Sequence, residues 1–115
     1  MHLFRKNSEH IKEKLHISPQ EAILLINSFD VILIDVRTEE EFFMSHIDHA
    51  LLLPVTEIDF LIEDIFPDKS KTYILYCRSG VRSAYAQRIM KSKGYPIVYD
   101  LGGILDWPYQ TIKGL

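Results

Sequence analysis

From Ile17 onward, short branched apolar runs alternate with segments of helical period, and this alternation constrains the chain more than any other feature. V-I-L-I-D-V at 31–36 is a nearly continuous apolar run, as expected of a strand covered on both faces, and T-Y-I-L-Y at 72–76 and Ile97, Val98 and Tyr99 predict two more strands. S-P-Q-E at 18–21 opens a helix, with Ser18 as N-cap, Pro19 at the first helical position and Glu21 completing a capping box. Ala22, Leu25 and Ile26 form its apolar face. Thr38 with Glu41 predicts a second capping box and a short helix through Phe43. Thr56 and Asp59 open a third helix that Pro67 stops, and Ser83 to Lys93 reads as a fourth, closed by Gly94. Gly102-Gly103 predicts a turn into a last amphipathic piece around Trp107. Strands joined by helices need crossover connections, so the expected class is α/β, a mostly parallel central sheet flanked by helices on both faces.

Nothing in the 115 residues divides that pattern: no repeat, low-complexity tract or Gly/Ser/Pro-rich linker interrupts it, and one domain is expected over 17–115. Residues 1–16 are polar and alternate in charge, the pattern of a lead-in segment. Charges at Arg5 and Lys6 precede any apolar stretch, so no secretory signal is read, and no run approaches the ~20 residues of a membrane helix. Cys77 is the single cysteine, which excludes a disulfide framework and favours a reducing, cytoplasmic setting. A net charge of -3 provides no general attraction to nucleic acid or to anionic lipid.

In parallel sheets, ligands bind beyond the carboxyl ends of the strands, and Cys77 stands at such an end. Behind it come Arg78, Ser79, Gly80, Val81 and Arg82, then a helix whose N-terminus points back at the sulfur. Unpaired loop N–H groups, the helix dipole and the two arginines all favour the thiolate, and Gly80 permits the tight bend that turns successive N–H groups inward. A lone cysteine at a strand end is often a small buried hydrophobe. Two arginines one and five residues away are odd neighbours for inert packing and point instead to a nucleophile in an anion cradle.

At these residues the chain resembles a single rhodanese domain over about 17–107. The matching pieces are I-S-P-Q-E-A at 17–22, L-I-D-V-R-T-E-E-E-F at 33–42, H-I-D-H-A at 46–50 and L-P at 53–54. Y-C-R-S-G-V-R-S at 76–83, G-Y at 94–95 and L-G-G-I-L-D-W at 101–107 complete them. The resemblance implies the rhodanese fold and sulfurtransferase chemistry through a persulfide on Cys77, with Arg78, Ser79, Gly80, Val81 and Arg82 binding the substrate. It implies a donor such as thiosulfate or a persulfide and a thiol or cyanide acceptor, with a protein acceptor also open, and requires no metal or organic cofactor. Related oxyanion phosphatases and arsenate reductases have a loop one residue longer, whereas Cys77 through Arg82 is six residues. The family pattern G-H-I-x-G-A has glycines where this chain has Ser45 and His49, which puts the local turn in question.

Asp35 and Arg37 at the end of the first strand, with Glu41 beyond, read as an ion-paired brace of the site rather than catalytic groups. His46 and His49 lack the partners of a metal site and read as loop structure. Trp107 and the tyrosines read as packing. A non-catalytic interaction module with the same fold is the alternative to an enzyme, and the intact Cys77 and arginines speak against it.

Overall fold

The computed structural model describes residues 15–28 and 30–114. Four parallel strands form the central sheet in the order β3-β1-β4-β5. These are β1 (Val31–Asp35), β3 (Leu51–Leu52), β4 (Thr72–Cys77) and β5 (Val98–Gly103). Helix α1 (Pro19–Ser28) leads into β1, and α2 (Glu39–Met44), α3 (Val55–Ile65) and α4 (Val81–Ser92) supply the crossovers. A second sheet pairs β2 (His46–Ile47) antiparallel with β6 (Thr111–Ile112).

The period of two along each strand sorts its side chains onto two faces. On one face Ile34, Tyr73, Leu75 and Cys77 pack against Ile58 and Ile62 of α3 and Ala86 and Met90 of α4. On the other, Leu33, Ile74, Tyr76 and Tyr99 pack against Ala22 and Leu25 of α1 and Phe42 of α2. The expected α/β architecture, helices covering both faces, is the one found. Both expected capping boxes form: Ser18 and Glu21 exchange hydrogen bonds at 2.9 and 3.1 Å, and Thr38 and Glu41 do so at 3.1 and 3.2 Å. Among the described residues, no helix is long and apolar enough to cross a membrane.

Four local expectations are corrected. Helix α3 starts at Val55 rather than Thr56, with Pro54 as a cap that makes no side-chain bond. The Leu53 and Val55 N–H groups bond the Asp35 and Val36 carbonyls, so the chain stays extended beside β1 until the helix begins. Helix α4 starts at Val81, two residues before Ser83, because Gly80 at φ 107 turns the chain and its carbonyl accepts from Ala84 at 3.1 Å. Gly102 and Gly103 continue β5, opposite Tyr76 and Cys77, after an irregularity in register where the Gly102 N–H bonds Asp100 Oδ1 at 2.8 Å. Beyond Gly103 come a 3-10 turn (Ile104–Asp106) and β6 in place of one amphipathic piece.

Of the lead-in segment, residues 1–14 lie outside the described residues. Leu15 and Ile17 bond the Asp100 N–H and carbonyl, so 15–17 run alongside β5, and Gln87 donates to the Leu15 and Val98 carbonyls at 2.7 Å each. The two positions lacking glycine resolve differently. Ser45 is extended at φ -171 and needs no glycine, whereas His49 takes φ 72, its N–H held by Asp48 Oδ1 at 2.9 Å. A left-handed residue with a side chain costs about 1 kcal/mol, which this small turn tolerates.

Candidate active site

Strand β4 delivers Cys77 to the carboxyl end of the sheet, where the side chain is buried under the N-terminus of α4. The chain reverses at once through Arg78, Ser79 and Gly80, and the Gly80 N–H points back to the sulfur at 3.0 Å. Gly80 makes this possible by adopting φ 107, a backbone region closed to most side chains. Ser83, in the first turn of α4, places its hydroxyl oxygen 3.6 Å from Cys77 Sγ. The same hydroxyl lies 3.2 Å from the Gly80 carbonyl, to which it donates, and rotating that proton to the sulfur suits the thiolate.

Burial by itself would push the Cys77 thiol up. The Ser83 hydroxyl and the N–H groups of Ser83, Gly80 and Ser79 outweigh it, so the thiol is held below its ordinary value. Of the three influences the sequence suggested, the inward-facing N–H groups are the ones seen at the sulfur, joined by the Ser83 hydroxyl. An ordered ring of donors aimed at one sulfur is also suited to a second sulfur carried on it as a persulfide anion.

The end of β5 forms the floor of this loop. A methyl group added at Gly103 would overlap the Arg78 carbonyl oxygen and stand 2.8 Å from Ser79 Cα, so only glycine lets the two backbones approach. The Leu105 N–H then bonds that Arg78 carbonyl at 3.3 Å. Sequence reasoning missed both Ser83 and this floor. Their traces are a serine directly after the second arginine and a Gly-Gly pair at a strand end.

The charged residues separate into three roles. Arg78 is exposed, with no carboxylate within ion-pair distance among the described residues. Arg82 instead grips Glu41 through both terminal nitrogens, Nη1 to Oε1 at 2.6 Å and Nη2 to Oε2 at 3.0 Å. That contact pulls the Glu41 carboxyl down to about 2 and fastens α2 to the first turn of α4. Asp35 and Arg37 are buried and pair with each other, Arg37 Nη2 donating to Asp35 Oδ2 at 2.7 Å and also to the Ser45 carbonyl at 2.6 Å. Burial lowers the tendency of Arg37 to hold its proton, and the Asp35 carboxylate more than restores it. The charged groups therefore form two separate pairs, Glu41 reaching Arg82 at the end of the cysteine loop and Asp35-Arg37 holding the turn between β1 and α2. His46 is buried, stacked on Phe42 at 3.6 Å, with Nδ1 2.8 Å from the Phe42 carbonyl, while His49 is exposed. The two rings do not converge.

A rhodanese-like domain matches residues 18–109. The thiosulfate sulfurtransferase PspE of Escherichia coli (strain K12) is 35% identical over 81 residues, 70% of this chain and 78% of that protein. A sulfurtransferase of Allochromatium vinosum is 38% identical over 84 residues, 72% of this chain and 77% of that protein. Among solved structures, a rhodanese with anions from E. coli superposes with a TM-score of 0.69 at 33% identity, covering 74% of this chain and 100% of the other.

Proposed function

This chain belongs to the rhodanese-like family, and from that premise we propose that it transfers sulfane sulfur from a donor such as thiosulfate to a thiol or cyanide through a persulfide on Cys77. The observation that carries the reading is the Gly80 N–H at 3.0 Å from Cys77 Sγ, within a six-residue loop at the start of α4. In the first displacement the Cys77 thiolate attacks the outer sulfur of thiosulfate. The donor's S–S bond breaks, sulfite leaves with the electron pair, and the persulfide anion stays in the ring of N–H groups. An acceptor thiolate then attacks the outer sulfur, and Cys77 departs as the thiolate. No electrons are gained or lost overall.

Arg78, Ser79, Gly80, Val81 and Arg82 bind the donor in this scheme, the backbone N–H groups through hydrogen bonds, Arg78 through its charge and Arg82 through a charge that its pairing with Glu41 weakens. Asp35, Arg37 and Glu41 support the site without touching the sulfur. A protein acceptor fits the same chemistry as a small thiol, and the lone thiol supports a cytoplasmic setting. The shorter loop disfavours phosphate or arsenate chemistry, because fewer N–H donors are spaced to surround a tetrahedral oxyanion.

The test is intact mass after incubation with thiosulfate in the absence of reductant. The mass should rise by one sulfur atom, return on adding cyanide or a thiol, and stay constant in Cys77→Ser. An unchanged mass with thiosulfate and with a hydropersulfide would overturn the reading in favour of an interaction module.

A further inference from the structure

Glu41 is fixed from two sides. Its Oε1 accepts from the Thr38 N–H and hydroxyl at 3.1 Å each, closing the cap of α2, and the same carboxylate takes Nη1 and Nη2 of Arg82. Arg82 lies in the first turn of α4, five residues beyond the nucleophile, where its charge acts on Cys77. Cancelled at hydrogen-bond distance, that charge is largely lost to an incoming anion, and Arg78 is left as the unpaired cation of the loop among the described residues.

Donors of sulfane sulfur differ in charge. Thiosulfate carries two negative charges, whereas an organic hydropersulfide carries at most one in its sulfur group. Each formal charge at the rim of the site acts twice as strongly on a dianion as on a monoanion. Resting on the sulfurtransferase reading above, we propose that Glu41 is a specificity-determining residue: by clamping Arg82 it biases the cradle away from dianionic donors and toward hydropersulfides. With such a donor, R–S–SH, the Cys77 thiolate attacks the outer sulfur. The donor's S–S bond breaks, R–S⁻ leaves with the electron pair, and the outer sulfur keeps its proton.

Glu41→Gln removes the charge and keeps an oxygen that can close the helix cap. Binding is read by calorimetry in the Cys77→Ser background, where no sulfur can be transferred, with thiosulfate as dianion and thiocyanate as monoanion. Adding Glu41→Gln should tighten thiosulfate about tenfold and thiocyanate about threefold. In the active protein the ratio of kcat/KM for thiosulfate to that for 2-hydroxyethyl hydropersulfide should rise in step. Unchanged or weaker thiosulfate binding would overturn the proposal and make Glu41 a residue that holds Arg82 in place for the donor. Should Glu41→Gln fail to fold, Glu41→Ala with Thr38→Asn, which caps the helix through Asn, answers the same question. Absence of sulfur transfer in the wild type would sink the proposed function and leave these binding measurements decisive for Glu41.

Discussion

Replacing Ser83 by alanine removes one hydroxyl from the nucleophile and little else. The side chain is buried, its oxygen stands 3.6 Å from Cys77 Sγ and 3.2 Å from the Gly80 carbonyl, and that carbonyl keeps the Ala84 N–H at 3.1 Å. A hydrogen bond to a charged group is worth about 1.5–3 kcal/mol, and the long contact to sulfur belongs at the lower end. About 1.4 kcal/mol is a tenfold change in the thiolate fraction. On the rising limb of the pH profile, alkylation of Cys77 by iodoacetamide should therefore be about tenfold slower in Ser83→Ala, with the profile displaced to higher pH and the same plateau. The sign follows from the lowered thiol: the thiolate stabilises the fold fully above the unfolded value near 8.5, and that stabilisation is lost as pH falls through the lowered value. Losing the hydroxyl narrows this window from its acid side. A wild-type rate and profile in Ser83→Ala would refute the reasoning and assign the thiolate to the backbone N–H groups alone.

Arg78→Ala should weaken thiosulfate turnover about tenfold through KM, since one charge-assisted contact is removed from an exposed side chain; steady-state kinetics checks this, and an unchanged KM counts against it. Asp35→Asn leaves the Arg37 guanidinium buried without its carboxylate and should cost about 3–5 kcal/mol in urea unfolding, far more than Lys71→Ala, whose ion pair with Asp30 at 3.6 Å is exposed. Gly103→Ala forces a methyl group into the Arg78 carbonyl and should cost about 1–3 kcal/mol, with sulfur transfer falling further than stability because the loop itself is displaced. A Gly103→Ala protein with wild-type melting and turnover would show that β5 does not set the loop.

The class of fold was legible in the sequence because local sterics and burial write themselves as periods. Continuous apolar runs at Val31 and Tyr73, capped helices at Ser18 and Thr38, and a cysteine at a strand end all depend on residues a few positions apart. The helix start at Val81 escaped because one glycine torsion at Gly80, not a side-chain pattern, sets it. The site needed the tertiary structure. The sequence grouped Glu41 with Asp35 and Arg37 without naming its partner; it pairs with Arg82, 41 positions away, because α2 and the start of α4 meet above the same strand ends. Likewise Gly103 matters only because β5 lies directly beneath the cysteine loop, and β2 finds β6 across most of the chain. Periodicity tells each segment which face to bury, but hydrogen bonds and ion pairs act over about 3 Å, and only the packed arrangement decides which distant side chains come that close.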